Sequence, residues 1–533
     1  MKNNHMKQMM RGALLLSLAS FIAKILSAVY RVPFQNMVGN TGFYVYQQVY
    51  PIYGIGMTFA LSGFPVFFSK MIAETPDGWA RKKMMRRSMA ILGVLGVVIF
   101  AGVYVFARQI AAWMGDSALQ PILESVSWMF LLMPLLATLR GYFQGTYRME
   151  PTAVSQVLEQ LVRVGAILIA AYLYKKLDWD IYEMGAKAMS GATIGAIMAS
   201  VVLLVSMRKD WSEGELWQAS SLSKRDAKNV QWGRLIHRYA TEGLTICLLS
   251  SILVLFQLLD SFTLYNGLLD SGVLADAAKS LKGIYDRGQP LVQLGMVVGT
   301  GFSASFIPMM SQAHVQEREL DFVRAAKSLL RMTATFSAAA VTGLLAILPN
   351  VNHMLFGDRE GTAVLAVYVL AIFVASVMTA YHSILQSLNQ YAISLVALGA
   401  GLATKMWLTS WFVERWGTLG ASYATVAGLL VMLLMLGRQA AFVIRNVWMK
   451  DRFIHKLAVG CALLYAGSWI VRRGLESYVL TGGGRMEDSI IAILTVFAGV
   501  GVFVWYILKI KLFTLREWIT IPFGKKLLRK FPG

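Results

Sequence analysis

The sequence predicts an all-α, polytopic membrane protein of about fourteen transmembrane helices, two six-helix halves around a central cavity plus two C-terminal helices. Three observations predict it. Of 533 residues, 56% are hydrophobic and 15% charged, too little polar material to coat a water-soluble globule of this size. Apolar runs of about 20 residues, enough to cross the hydrocarbon of a bilayer, recur along the whole chain. The cations fall in the short segments between those runs, on alternate connections.

The apolar segments begin near Gly12, Tyr44, Ser88, Pro121, Thr152, Met184, Arg234, Gly288, Ser328, Gly361, Tyr391, Gly417, Phe453 and Ser489. Lys2, Lys7 and Arg11 precede the first, as in a signal peptide. Lys24 interrupts it and no small-residue cleavage site follows, so it reads as a retained first helix. Arg81, Lys82, Lys83, Arg86 and Arg87 follow the second segment, Arg148 the fourth, and Lys224, Arg225, Lys228, Arg234 and Arg238 the sixth. Arg318, Arg324 and Lys327 follow the eighth, and Arg445, Lys450, Arg452 and Lys456 the twelfth. The tail adds Lys509, Lys511, Arg516, Lys525, Lys526, Arg529 and Lys530. Lys175, Lys176, Arg472 and Arg473 stand against the pattern, which nevertheless places both termini in the cytoplasm and requires an even number of spans. The expected location is a bacterial cytoplasmic membrane, crossed many times.

Two internal echoes divide the chain. YQQVYPIYGIGM from Tyr46 aligns with YDRGQPLVQLGM from Tyr285, matching Tyr46, Pro51, Gly56 and Met57 to Tyr285, Pro290, Gly295 and Met296 at one offset. RGYFQGTYR from Arg140 aligns with HSILQSLNQ from His382 at nearly the same offset. Together they point to a repeat. The expected division is a six-helix bundle over 1–210, a cytoplasmic linker over 211–233, a second bundle over 234–447, and two more helices with a basic tail over 448–533. Units with an even number of spans enter the membrane in the same sense, which relates them by an axis along the membrane normal.

The formal charge of +21 does not indicate nucleic acid, because the cations are scattered between apolar runs and are not gathered on a polar domain. Cys247 and Cys461 lie inside apolar runs and read as packing residues, not as a disulfide or metal site. No metal constellation, phosphate-binding loop or other cofactor motif is evident. The expectation is a transporter and not an enzyme.

The informative residues are those out of place in lipid. Ser17, Ser20, Lys24, Ser27 and Arg31 of the first helix fall within an arc of roughly 80° at about 100° per residue. A charge at mid-membrane costs several kcal/mol without water or a partner, so this stripe is expected to face an aqueous cavity. In the fifth segment Glu159 precedes Arg163 by four residues, the spacing of an intrahelical ion pair, with Gln156 and Gln160 on the same face. Gln48 and Arg287 occupy corresponding places in the two units, which makes both candidates for substrate contact. Glu242, at the start of the seventh segment, is a further candidate for gating, while Asp260 and Lys405 are weaker ones. Pro51 and Gly56 in one unit and Pro290 and Gly295 in the other are candidate hinges, although small residues equally serve close helix packing.

The opening GALLLSLASFIAKILSAVYRVPFQNMVGNTGFYVYQQVYPIYGI, the RGYFQG of the fourth segment and the plan of spans resemble the polysaccharide transporters of the multidrug/oligosaccharidyl-lipid/polysaccharide exporter superfamily. Within it the likeness is to the stage V sporulation protein B group and related lipid II flippases. That resemblance implies a flippase carrying an undecaprenyl-pyrophosphate-linked sugar, lipid II among them, from the inner to the outer leaflet by alternating access. It implies a central cavity in which basic residues of the first and eighth helices meet the pyrophosphate, with Lys24, Arg31 and Arg287 at the matching positions. The chain departs from better-known flippases in having lysine at the first of these and no arginine within the second helix. Membrane lipid, the lipid-linked saccharide and cell-wall synthesis enzymes are the implied partners. Export of another lipid-linked polysaccharide unit, or of cationic drugs, remains open at this point.

Overall fold

The computed structural model describes residues 2–75, 78–212, 232–441, 444, 447–448, 452–479, 482–513 and 517. Nearly all of the expected linker 211–233, and the tail cations Arg516, Lys525, Lys526, Arg529 and Lys530, lie outside them. Among the described residues every regular element is helical. Contacts divide the chain into two units, Met1–Asp286 and Arg287–Gly533.

The first unit begins with α1 (Lys2–Val29) and α2 (Arg31–Thr58), then a π turn at Phe59–Gly63 and α3 (Phe64–Ala73). It continues through α4 (Gly78–Val105), α5 (Ala107–Trp113), α6 (Gln120–Ser127), α7 (Met129–Gly145), α8 (Met149–Leu177) and α9 (Ile181–Ser212). α10 (Trp232–Arg238), a second π turn at Tyr239–Gly243, α11 (Leu244–Ser250), α12 (Ile252–Asp270) and α13 (Ala275–Asp286) complete it. α1 lies along α8, α8 along α9, and α3 and α4 against α7, while α2 packs on α12 and α13.

The second unit comprises α14 (Gly288–Gly295), α15 (Val297–Val315), α16 (Glu319–Phe356), α17 (Thr362–Tyr368), α18 (Leu370–Ser387), α19 (Tyr391–Ala441), α20 (Phe453–Tyr478) and α21 (Arg485–Lys509). α15, α16 and α18 pack together, and α20 and α21 form a hairpin against α16. Polar contacts fix that hairpin: Asp488 accepts from Asn350 Nδ2 and Arg359 Nη2, both at 2.7 Å, and pairs with His353.

Eleven helices among the described residues are long and apolar enough to cross a membrane, or twelve if the pair Ala275–Gly295 and Val297–Val315, bent by 41°, is one span. The shortfall from fourteen apolar windows has a structural origin. Two of the eleven are runs of 59 and 50 residues, Leu15–Ala73 and Tyr391–Ala440, and each holds two windows. At about 1.5 Å per residue either run is far longer than the ~30 Å hydrocarbon. Each is broken by a glycine in a conformation that side-chain-bearing residues avoid, Gly39 (φ 72°, ψ −175°) and Gly417 (φ 55°, ψ −136°).

Burial is inverted relative to a soluble protein. Val94, Val97 and Val98 form an outward apolar stripe on α4, each more than half exposed, while Arg31, Arg140, Arg163 and Arg287 are among the largest fully buried side chains. Both candidate hinge glycines are also packing contacts. A Cβ on Gly56 would stand 2.8 Å from Phe130, and one on Gly295 would stand 2.6 Å from Ile372. Pro51 lies inside a continuous stretch of α2, whereas Pro290 falls in α14, between turns at Arg287 and Met296. Cys247 is buried against Gly63, whose Cβ would approach its Sγ to 2.4 Å, and both cysteines are free.

Candidate functional site

Three helices of the first unit, α1, α2 and α8, converge on a pair of guanidinium groups. Arg31 opens α2 immediately after the turn at Tyr30, and Arg163 projects from the middle of α8. Neither is more than 1% exposed. The Arg31 guanidinium lies 4.3 Å from the Tyr50 ring centroid, and that of Arg163 lies 4.7 Å from Tyr53 and 5.3 Å from Tyr30. Tyr30 and Tyr46 join the cage through their hydroxyls, 3.1 Å apart. Tyrosines 46, 50 and 53 recur at helical spacing on α2, so one helix face supplies most of the aromatic wall.

The hydrogen bonding of this pair is incomplete. Arg163 Nη2 donates to Ser27 Oγ at 3.4 Å, but its Nε and Nη1 have no partner, nor do Nε, Nη1 and Nη2 of Arg31. The side-chain amide of Gln160, 1% exposed and one turn before Arg163, is likewise without a partner. No carboxylate among the described residues forms an ion pair with either arginine. Cation–π contacts supply about 0.5–2 kcal/mol each, against a desolvation cost of several kcal/mol per buried ion. The carboxylate that acts on Arg31 through space, Asp286, is already paired with Lys282 at 2.8 Å, so the balance leaves room for an anion beside the two arginines.

The acidic residue nearest in sequence is engaged elsewhere. The ion pair expected between Glu159 and Arg163 does not form: Glu159 Oε2 accepts from Arg140 Nη2 at 2.6 Å. Arg140 also donates to Ser155 Oγ and to the Ala60 carbonyl, at 3.1 and 3.3 Å. A fully buried fork from α7 thus holds the carboxylate and leaves Arg163 facing the tyrosines. Arg140 was visible in the RGYFQG segment as an arginine at the end of an apolar run. What it partners was not.

The polar stripe of α1 is divided between two surroundings. Ser20 Oγ donates to Gln156 Oε1 at 3.2 Å, and Ser27 meets Arg163, so these serines face α8 and not open space. Lys24, between them, is exposed within the chain. Gln48 is fully buried and holds the Ser261 and Met114 carbonyls at 2.7 and 3.3 Å, tying α2 to its neighbours rather than lining a cavity. Glu242 belongs to a surface cluster, bonded to Arg238 at 2.9 Å, with Lys70 at 3.7 Å from its carboxylate. Asp260 accepts from Tyr285 Oη at 2.9 Å, and Lys405, also buried, donates to Thr425 at 2.8 Å.

Arg287, in the second unit, is neutralised and not open to a ligand. It grips Asp358 with both terminal nitrogens, at 2.6 and 2.7 Å, and lies 5.1 Å from the Phe356 ring. Burial pushes the Asp358 carboxyl up, but the Arg287 fork and the Glu360 amide outweigh it and hold the carboxyl below its usual range.

Comparison with known proteins agrees with this architecture. Residues 9–314 match the family described as polysaccharide biosynthesis protein. Three Bacillus subtilis (strain 168) proteins are similar along most of their length. Uncharacterized membrane protein YabM is 36% identical, over 97% of this chain and 95% of its own. Lipid II flippase MurJ is 24% identical over 93% and 94%, and stage V sporulation protein B 23% over 80% and 82%. A solved lipid II flippase MurJ in an inward closed conformation superposes with a TM-score of 0.68 at 13% identity, over 92% of this chain and 98% of that one. An inward-facing multidrug resistance MATE transporter of the MOP superfamily gives 0.62 at 14%, over 80% and 96%. The chain therefore belongs to the polysaccharide biosynthesis protein family, as a multi-pass membrane protein with the fold of the multidrug/oligosaccharidyl-lipid/polysaccharide superfamily.

Proposed function

We propose that this protein is a flippase, not an enzyme, which moves an undecaprenyl-pyrophosphate-linked sugar, lipid II foremost, from the inner to the outer leaflet by alternating access. One observation carries the reading: Arg31 and Arg163 are both buried against the Tyr30, Tyr50 and Tyr53 rings without an ion-paired carboxylate, and five of their nitrogens have no hydrogen-bond partner. Guanidinium groups in that condition suit a diphosphate, which accepts paired charge-assisted hydrogen bonds. Lys24, exposed on the same stretch of α1, is the entry cation, with Ser20 and Ser27 setting the helix against α8. Arg287 acts in this scheme through its grip on Asp358 and not as a primary ligand of the headgroup.

The name of one relative supports the same substrate class, since it is a lipid II flippase. In this reading the chain lies in the bacterial cytoplasmic membrane with both termini inside, and the two repeat halves and the two appended helices keep the boundaries expected from the sequence. The site's positive charge argues against a carrier of cationic drugs, which needs an intramembrane carboxylate at its centre. Enzymes of cell-wall synthesis on the outer face are the consumers of the delivered precursor.

Depletion followed by analysis of polyprenyl-linked sugars tests the proposal. Accumulation of lipid II in the inner leaflet is the expected result. Accumulation of a different polyprenyl glycan reassigns the substrate to another polysaccharide, and unchanged lipid-linked sugars, once redundant relatives are removed, exclude a flippase.

A further inference from the structure

A second cationic site lies in the second unit, where α15 ends and α16 begins. A cavity of about 570 Å³ opens there between the two helices, Val447 and Glu517, a size typical of ligand sites. Arg324, Lys327 and Arg331 line it from successive turns of α16, and Arg318 from the connecting turn. Its two carboxylates already have cations, Asp321 with Arg324 at 3.3 Å and Glu517 with Arg331 at 4.0 Å. Arg331 is further anchored by the Leu512 carbonyl at 2.7 Å. That leaves the side chains of Arg318 and Lys327 uncompensated, since neither forms a hydrogen bond or ion pair among the described residues.

The other wall is apolar. Phe306 and Met309 of α15 line the cavity, Met309 being 52% exposed, and Val315 and Leu320 on either side of the turn are 81% and 72% exposed. Exposed aliphatic side chains beside cations are what the boundary between acyl chains and headgroups requires of a surface. Residues 518–533 add Lys525, Lys526, Arg529 and Lys530 and no acidic residue.

We propose that this cavity binds an anionic phospholipid, its phosphodiester between Arg318 and Lys327 and its acyl chains along Phe306 and Met309. Two cations converging on one phosphate give charge-assisted hydrogen bonds, and basic pockets between transmembrane helices hold lipid headgroups in this way. The site shares no residue with the Arg31–Arg163 pair, so it stands or falls independently of the flippase reading.

The test uses the delipidated full-length chain in neutral detergent, titrated with fluorescent phosphatidylglycerol and, separately, phosphatidylcholine. Saturable binding of phosphatidylglycerol is expected, weakening as salt is raised. At about 1 kcal/mol per basic residue near the headgroup, the double variant Arg318→Gln/Lys327→Gln should bind about thirtyfold more weakly. The charge-retaining pair Arg318→Lys/Lys327→Arg should recover most of the affinity. Because neither side chain supports another residue, both variants should remain monodisperse with unchanged helical signal. Equal binding of the two lipids, or an unaltered affinity in the glutamine variant, would overturn the proposal. Full displacement by millimolar inorganic phosphate would also overturn it, by assigning the cavity to a free anion.

Discussion

Buried charge separates the arginines of this protein into two kinds. Arg140 and Arg287 each hold a carboxylate at 2.6 Å, whereas Arg31 and Arg163 hold none. Removing a member of the first kind strands an acid; removing one of the second relieves an uncompensated cation. Arg163→Gln is therefore expected to leave the thermal midpoint unchanged or raised while weakening headgroup binding by about tenfold to a hundredfold, the scale of a lost charge-assisted contact. Scanning calorimetry beside a transport assay checks it, and a fall in both would mark a purely structural residue. Arg287→Ala should destabilise by less than the ~3–5 kcal/mol of a fully buried broken pair, because Asp358 is 36% exposed. Arg287→Ala/Asp358→Ala should restore part of that loss in a double-mutant cycle. The same pair is pH-sensitive. A depressed carboxyl lends its full stability above the ordinary aspartate value, near ~3.9, and loses it as pH falls through the lower folded value. Melting curves should show this acid loss in the parent and a smaller one in Asp358→Asn.

Between elements, α13 approaches α2 closely. Gly283 stands where a Cβ would meet the Asn40 carbonyl oxygen at 2.2 Å, and Asn40 Nδ2 reaches Ser280 Oγ at 3.4 Å. Lys279 adds a hydrogen bond to Tyr182 at 2.8 Å and lies 3.8 Å from Asp116. No side chain fits between these backbones. Gly283→Val is accordingly expected to lever α13 away from α2. With cysteines at positions 40 and 280, oxidative cross-linking should be efficient in the parent and strongly reduced in the valine variant; equal cross-linking would show that α13 accommodates the bulk in place. The bend at Met296 and the π turn at Phe59–Gly63 occur shortly after Gly295 and Gly56, the glycines aligned by the sequence echo. Each of these glycines thus precedes a break in its helix, made differently in the two places.

For the whole molecule, the alternation of basic connections makes a topological prediction. With Cys247 and Cys461 replaced by alanine, a cysteine at Asp178 or Leu274 should react with a membrane-impermeant maleimide in intact cells, and one at Lys82 or Leu320 only after permeabilisation. The reverse pattern would invert the orientation and place the Arg318–Lys327 cavity on the outer face. An intermediate pattern would refute the alternation of connections on which the orientation rests.

The sequence by itself determined the solvent of this protein and its secondary structure, because long apolar runs in lipid have to satisfy their backbone hydrogen bonds internally and so become helices. It also named Arg31 and Arg163 as residues out of place in lipid. Partners were another matter. The spacing of Glu159 and Arg163 pointed to a pair on one helix, yet the carboxylate went to Arg140, nineteen positions away in the chain. Gln48 and Arg287 occupied promising places in the repeat, yet both are occupied by neighbours that the sequence leaves distant. Helical periodicity tells which face of a helix a side chain occupies, but an ion pair is a contact between helices. Which acid neutralises which base, and so which arginines are left for a ligand, was decided only when the helices packed.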